Sequence, residues 1–186
     1  MKKSVLKVQM FGTYSIEYEG NPVSFERNTT TKTNQLMQIL LQAGEKGVTR
    51  AKLLSDLFGD EEMSNPANSL RATVFRLRRL LAAAGLPGDE YVTIKGGSYY
   101  WTSGIPYELD AHQFEELLKK AEKENDPEKK KSYIEEACEL YRGEFLPRLG
   151  AEGWAVVLNV YYKNLFSNAM RTLCQVLKDE KDYKKL

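Results

Sequence analysis

Residues 65–81 predict a single helix with two chemically different faces. At about 100° per residue, apolar side chains fall in a stripe typical of a buried helix face: Leu70, Val74, Leu77 and Leu81. The other side of the helix carries Asn68, Arg71, Ala72, Phe75, Arg76 and Arg79. Any fold of this chain must therefore bury one side of the helix and leave an arginine-rich side accessible.

The charge of this segment is unbalanced. Charged residues make up 28% of the chain, yet residues 64–88 contain no Asp or Glu to offset their arginines. A solvated face, the general alternative, is usually built from mixed Lys and Glu that form i, i+4 pairs. Unpaired arginines around Phe75 instead favour contact with DNA, where Arg reaches guanine or phosphate and an apolar ring touches a thymine methyl.

The start of the helix is small and polar. Ser64 or Asn65 is suited to cap it, and Pro66 is suited to its first position. Such a helix N-terminus can approach phosphates closely. Arg78 lies near the edge of the buried stripe, so we expect it to make a flanking or structural contact rather than to read a base.

Composition limits the remaining possibilities. The chain has 186 residues, 42% of them hydrophobic, which allows one large domain or two small ones. Residues 1–11 alternate as a strand does, not as a signal peptide, and no run is long enough to span a membrane. Cys138 and Cys174 lack metal spacing and predict packing residues in a reducing compartment, so we expect the cytoplasm. A net charge of +1 means that any DNA binding must come from local charge.

An enzyme is not indicated. The chain has one histidine, His112, in a charged stretch, and shows no nucleophile with a partner, no paired-carboxylate motif and no phosphate-binding glycine loop. We therefore expect no catalytic residue, no cofactor and no metal. The run Lys129–Lys131 lies among glutamates, which favours a solvated helix start over a second nucleic-acid patch.

The order of elements in the first part is sheet, three helices, hairpin. Strands are predicted at 4–10, 13–18 and 22–25, and helices at 31–43, 49–58 and 64–84, with an acidic loop at 59–62 before the third helix. Residues 91–95 and 98–102 flank Gly96-Gly97, a strong hairpin signal. In a winged helix-turn-helix the third helix enters the major groove and the hairpin reaches a neighbouring backbone.

Residues 4–102 resemble the winged-helix DNA-binding domain of response regulators. The segment Leu70-Arg71-Ala72-Thr73-Val74-Phe75-Arg76-Leu77-Arg78-Arg79-Leu80-Leu81 is similar to that family's recognition helix, and Lys95-Gly96-Gly97-Ser98-Tyr99-Tyr100-Trp101 is similar to its wing. The periodicity and the resemblance together give these candidate DNA-binding residues: Asn65, Asn68, Arg71, Ala72, Phe75, Arg76, Arg79, Lys95 on the wing, and Thr49 and Arg50 on the supporting helix.

The second part predicts three helices. Asp110 is expected to cap the first, Asp126-Pro127 starts the second, and residues 152–178 form the third. The third helix has an apolar stripe of Trp154, Leu158, Tyr161, Leu165, Ala169 and Leu173, with Tyr162 and Phe166 beside it. Aromatic residues at this spacing favour a core over a partner groove. The pattern suits tetratricopeptide-like helix hairpins.

Tyr141-Arg142-Gly143-Glu144-Phe145-Leu146-Pro147 followed by Trp154 resembles the bacterial transcriptional activation domain of Streptomyces-type antibiotic regulatory proteins. The two resemblances imply an α+β winged helix-turn-helix domain at 1–106 followed by an all-α tetratricopeptide-like domain at 107–186. They also imply an activator that binds double-stranded DNA, often as a homodimer, and contacts RNA polymerase. The lack of a run long enough to span a membrane predicts no membrane association.

Two expectations remain open at this stage. Residues 182–186 look like the opening of another helix, so we expect the chain to be a fragment of a longer regulator. The alternative function is a protein-interaction scaffold whose winged helix no longer binds DNA.

Overall fold

The computed structural model describes residues 4–23, 29–59, 65–88, 90–102 and 104–179. The chain divides into two compact units, one of residues 1–8 and 15–108, the other of residues 9–14 and 109–186. The strands are β1 (Leu6–Gln9), β2 (Ser15–Tyr18), β3 (Asn21–Pro22), β4 (Val48–Thr49), β5 (Val92–Lys95), β6 (Ser98–Trp101) and β7 (Tyr107–Leu109). The helices are α1 (Lys32–Ala43), α2 (Arg50–Phe58), α3 (Pro66–Ala83), α4 (Asp110–Lys123), α5 (Pro127–Leu140) and α6 (Gly153–Asp179).

The three helices of the first unit begin at side-chain caps. Thr31 accepts from the backbone N–H of Asn34, Thr49 from that of Lys52, and Asn65 from that of Asn68. Each cap satisfies an amide that the first turn leaves without an intrahelical partner. The predicted helices are therefore confirmed, and Asn65 is the cap of the third; Ser64 and most of the acidic loop, residues 60–62, lie outside the described residues.

Two sheets complete the first unit. One has the strand order β3-β2-β1-β7 and the other β4-β6-β5. The predicted hairpin is confirmed, with Lys95 opposite Ser98 and both turn glycines at positive φ, 57° and 77°. Strands β4 and β7 were not predicted, because runs of two and three residues carry no periodicity of their own. The third predicted strand is shorter than expected, and its residues 24–25 lie outside the described part of the chain.

The core of the first unit lies where α1, α2 and α3 meet the β4-β6-β5 sheet. Leu40, Leu53, Leu70 and Leu81 are fully buried. Tyr91 joins them, and its hydroxyl donates to the carbonyl of Leu86 at 2.6 Å. This core fixes the orientation of α3, so its opposite face has to be solvent-exposed.

The second unit is built around an aromatic cluster. The ring of Phe11 has its centroid 5.5 Å from that of Phe114, 4.9 Å from Tyr141 and 5.1 Å from Tyr162. Phe11 also forms a β-bridge with Phe145. Phe11 lies between the strands predicted at 4–10 and 13–18, and the sequence did not indicate this role because the partners of Phe11 are distant in sequence.

The long helix α6 corrects one expectation. Tyr161 was predicted in its buried stripe, but Tyr161 is 43% exposed and Tyr162 is fully buried. The other members of the predicted stripe are confirmed as buried, in the case of Trp154 and Ala169, or as partly buried, in the case of Leu158, Leu165 and Leu173. Ala155 is buried as well, although it was not predicted to be. Small residues mark the packed side as firmly as large ones do.

Asp110 also differs from expectation, because its carboxylate does not cap α4 in the usual way. The N-cap residue is Leu109, with no side-chain cap bond. The N–H of Met10 donates to both carboxylate oxygens of Asp110 (2.8 and 2.9 Å), and those of Phe11 and Ala111 donate to one oxygen each, at 2.9 and 2.8 Å. Desolvation raises the pKa of Asp110 above its ordinary value of 3.8, although these hydrogen bonds and the charge of Arg142 act in the opposite direction.

Both cysteines are free thiols, partly buried, on separate helices of the second unit. Burial, with a smaller contribution from Glu135, raises the pKa of Cys138 to about 11. Cys138 packs against the cluster of Ala121, Ile134 and Ala169, as the prediction of a packing residue requires. Within the described ranges, no helix combines the length and apolarity needed to cross a membrane.

Candidate nucleic-acid interface

Helix α3 separates apolar and cationic residues as its sequence predicts. Its buried side consists of Leu70, Thr73, Val74, Leu77 and Leu81. The other side exposes all seven predicted contact residues of this helix and its cap, Asn65, Asn68, Arg71, Ala72, Phe75, Arg76 and Arg79. The structure therefore brings these residues together on one continuous surface, which we call the arginine face.

Phe75 is the most unusual residue of the arginine face. Its side chain is 61% exposed, although a ring of this size is ordinarily buried. The guanidinium carbon of Arg79 lies 5.9 Å from the centre of the ring, within the range of a cation–π interaction. The pair therefore presents a flat apolar surface beside a cation that is partly held in place.

The arginine face is electrostatically open. Among the described residues, the structure gives no ion-pair partner to Arg71, Arg76 or Arg79, whereas Lys52 pairs with Asp56 on α2 and Lys119 with Glu115 on α4. Their charges are thus available to an external anion. A polyanion such as DNA gains most from cations that are not already neutralised.

At the amino-terminal end of α3, one side-chain group of Asn65 is used to cap the helix. The side-chain oxygen of Asn65 accepts from the N–H of Asn68 at 3.1 Å, which leaves the Asn65 amide group as its free donor. The side chain of Asn68 is exposed one turn further on. Both asparagines therefore have donors directed to the solvent side of the first turn.

The hairpin of β5 and β6 carries two exposed side chains next to its turn, Ile94 and Lys95. Lys95 was predicted as a contact, but Ile94, at 51% exposed, was not. Ile94 lies opposite Tyr99 in the ladder, on the side of the sheet that is buried further along the strand. The sequence could have indicated this exposure, because Ile94 and Lys95 directly precede the Gly96-Gly97 turn. An apolar residue so close to the tip of a hairpin is too far from the core to be buried.

Thr49 and Arg50 lie beside this hairpin. Thr49 pairs with Ser98 across the β4–β6 ladder, and Ser98 pairs with Lys95 on its other side. The N–H of Arg50 donates to the carbonyl of Gly97 at 3.0 Å. The three predicted contacts outside α3 therefore cluster at one end of the β4-β6-β5 sheet, with exposed side chains.

Arg78 behaves differently from the other arginines of α3. It is partly buried, and its Nη2 donates to the backbone carbonyl of Val92. The expected structural contact is confirmed. In the described ranges, no three His, Cys, Asp or Glu side chains converge as a metal site would require.

Comparisons with known proteins match both units. Residues 26–101 match the family described as "Transcriptional regulatory protein, C terminal", and residues 109–185 match the "Bacterial transcriptional activator domain". Protein RcaC of Microchaete diplosiphon is 29% identical over 123 residues, which cover 61% of this chain and 18% of RcaC. The chain thus spans only a minor part of that relative.

A solved structure has a similar fold. The structure of Mycobacterium tuberculosis EmbR in complex with a low-affinity phosphopeptide aligns with a TM-score of 0.72 at 17% identity, covering 95% of this chain and 46% of EmbR. The identity is low enough that this likeness establishes the fold alone. It confirms the predicted class, an α+β winged helix followed by a helical domain.

The fold and the two matched domains define a winged-helix protein with the domains of a transcriptional regulator. A response-regulator-type winged helix that precedes a bacterial transcriptional activator domain is also the arrangement of the Streptomyces antibiotic regulatory proteins, and this chain is similar to them. The resemblance drawn from the sequence is confirmed.

Proposed function

We propose that this chain is a sequence-specific DNA-binding transcriptional activator that works in the cytoplasm as a homodimer. In this proposal the winged-helix domain, residues 1–106, binds double-stranded DNA. The helical domain, residues 107–186, mediates dimerisation or contacts RNA polymerase. The observation that carries the proposal is the arginine face: exposed cations without ion-pair partners in the described structure, on the third helix of a winged-helix unit.

The geometry supports a division of labour on DNA. Helix α3 enters the major groove, where the arginines reach guanine or phosphate and Phe75 contacts a thymine methyl. The cation–π contact with Arg79 limits the freedom of that guanidinium before binding, which reduces the entropy lost on docking. Asn65 and Asn68 offer donors to bases or phosphates at the start of the helix.

The second group of contacts lies on the hairpin and its neighbours. Lys95, Thr49 and Arg50 lie at one end of the sheet, and we assign them to phosphates of the adjacent backbone. Backbone contacts of this kind fix the register of the protein on the duplex but carry no direct sequence information. Sequence preference should therefore come from α3.

The test begins with selection of bound sequences from a random DNA pool. Selected sites with two half-sites at a fixed spacing support a dimer, whereas a single site contradicts that part of the proposal. Arg71→Ala combined with Arg76→Ala should lower the affinity for the selected duplex by about 100-fold or more at low salt. The slope of log K against log salt should flatten by up to about 2 units, depending on how many phosphate contacts are lost.

The matched control is Lys129→Ala combined with Lys130→Ala, which removes the same charge from the helical unit. Its affinity and salt slope should equal those of the intact chain, because these lysines lie among glutamates on α5. The alternative function, an interaction scaffold without DNA binding, predicts no salt-dependent binding by the intact chain. Equal affinities for the arginine double variant and the intact chain would also support the scaffold.

A further inference from the structure

The hairpin of β5 and β6 is held differently on its two sides. On the β6 side the hairpin is held by backbone hydrogen bonds. Strand β4 pairs with β6 at Val48–Tyr99 and Thr49–Ser98, and the N–H of Arg50 donates to the Gly97 carbonyl at 3.0 Å. Backbone bonds of this kind form with almost any side chain present. On this side the position of the hairpin is therefore insensitive to most substitutions.

On the other side, β5 is an edge strand. The N–H of Thr102 donates to the carbonyl of Tyr91 at 3.0 Å, so Tyr91 and Thr102 form a hydrogen-bonded pair. Such pairs alternate along an antiparallel ladder, and the next residue, Val92, therefore directs its carbonyl away from β6 towards the open edge. Val92 is fully buried, so this carbonyl requires a partner from another element.

Arg78 supplies that partner. Its Nη2 donates to the Val92 carbonyl, and this bond links α3 to the first residue of β5. The Nε of Arg78 is buried and has no hydrogen-bond partner among the described residues, so the guanidinium is held in the protein rather than extended to solvent. If Arg78 moved to a phosphate, the buried carbonyl would lose its bond.

We propose that Arg78 is a positioning residue that fixes the hairpin against α3 and so sets the distance between the arginine face and Lys95. This role rests on the proposed function only where DNA is concerned. The hairpin is held by main chain on one side and by this guanidinium on the other, so one side chain controls how two DNA-contacting elements are spaced.

The first experiment uses the free protein and needs no DNA. Hydrogen exchange of the hairpin amides Thr93, Tyr100 and Thr102 is compared between the intact chain and Arg78→Met. These amides should exchange about tenfold faster in the variant, while those of α1 and α2 keep their rates. Arg78→Lys, which retains a cationic donor, should restore part of the protection. Arg79→Met should leave the exchange rates of the hairpin amides in the free protein unchanged.

Two results would overturn the positioning role. Unchanged hairpin exchange in Arg78→Met would show that the bond does not hold the strand. An equal rise in exchange across α1, α2 and the hairpin in both Arg78 variants would show that Arg78 stabilises the whole unit. If Arg78→Met does not fold, Arg78→Lys decides between these outcomes by the same comparison.

The second experiment measures affinity for the selected duplex. Arg78→Met should lower it about fivefold to tenfold with the salt slope unchanged, and the loss should largely disappear in a Lys95→Ala background, because the hairpin then has no contact to misplace. A slope flattened by about 1, as expected for a phosphate contact, would assign Arg78 to DNA and refute the proposal. If the intact chain binds no duplex, the proposed function fails, whereas the exchange experiment still decides the role of Arg78.

Discussion

Helices α3 and α5 both begin with proline after a capping residue and both carry a run of cations, but they use charge in opposite ways. On α5 the lysines at 129–131 share the helix with Glu128, Glu135 and Glu136. On α3 no acidic residue is present, and an exposed aromatic ring lies among the arginines. The number of cations is therefore a weaker guide to a binding surface than the absence of neutralising groups around them.

An acidic residue introduced on α3 would remove the main difference in charge between α3 and α5. In Ala72→Glu, the new carboxylate lies in the centre of the arginine face, four residues before Arg76. Affinity for the selected duplex should fall about 100-fold, roughly 3 kcal/mol, because the carboxylate neutralises an arginine and repels phosphate. Thermal stability should remain within about 0.5 kcal/mol, since the Glu–Arg spacing favours the helix. Fluorescence anisotropy and thermal melting provide the two measurements.

The control for this variant is Ser132→Glu, which adds the same charge to α5. That helix already carries acids, so its affinity for DNA should be unchanged. A similar loss in both variants would mean that net charge, rather than the arginine face, controls binding.

Asp110 is a buried acid, and its carboxylate accepts hydrogen bonds from backbone N–H groups instead of facing cations. In Asp110→Asn, one carboxylate oxygen is replaced by an amide donor that faces backbone N–H groups, and the free energy of unfolding should fall by about 1–3 kcal/mol at neutral pH. The stability is measured by urea denaturation. DNA affinity under folding conditions should be unchanged, because Asp110 is not part of the arginine face.

The pH dependence of this variant has a defined sign. The pKa of Asp110 is raised in the folded protein, so between 3.8 and that raised value the folded state binds more protons than the unfolded state. The contribution of this group to stability therefore increases as the pH falls through the folded pKa. The stability difference between the intact chain and Asp110→Asn should widen in that direction. A difference that narrows towards acid pH would show that the hydrogen bonds outweigh desolvation.

The smallest effect concerns the exposed ring. Phe75→Ala should reduce affinity about fivefold, roughly 1 kcal/mol, through loss of apolar contact and of the cation–π interaction with Arg79. Replacing thymine by uracil at the contacted position removes the methyl group. The intact chain should lose affinity on this replacement and Phe75→Ala should not, in a competition assay. Equal sensitivity of both proteins would assign the ring to another role.

Val157→Ala is the matched control for the ring. Val157 is exposed on α6, at 69%, and lies outside the proposed interface. Its loss should leave both the affinity and the response to uracil unchanged. This control separates the removal of any exposed apolar side chain from the removal of Phe75.

Much of the first unit could be predicted because its signals are local. The helix starts predicted at residues 31, 49 and 64 and the Gly96-Gly97 turn depend on interactions within a few residues, and the structure confirms them, with Thr31, Thr49 and Asn65 as the caps. The face of α3 followed from its period alone.

The features that could not be predicted depend on distant partners. Strand β4 exists because β6 provides a ladder for two residues, and Tyr162 rather than Tyr161 is buried because its ring meets Phe11 and Phe145. The helical spacing predicted that Arg78 lies at the edge of the buried stripe of α3. It could not predict the partner of Arg78, which is a backbone carbonyl on β5. Local pattern defines the elements, and pairing between them decides the remaining contacts.

Residues 9–14 also determine when the second unit can be completed. They are synthesised early, but the carboxylate that holds Met10 lies 100 residues further along the chain, and Phe145 follows later still. Closure of so long a loop is slow compared with helix formation, so docking of this segment should be a late step in folding. A fragment that begins at residue 109 lacks Phe11, and cutting the chain between the two matched domains would not yield a complete helical unit.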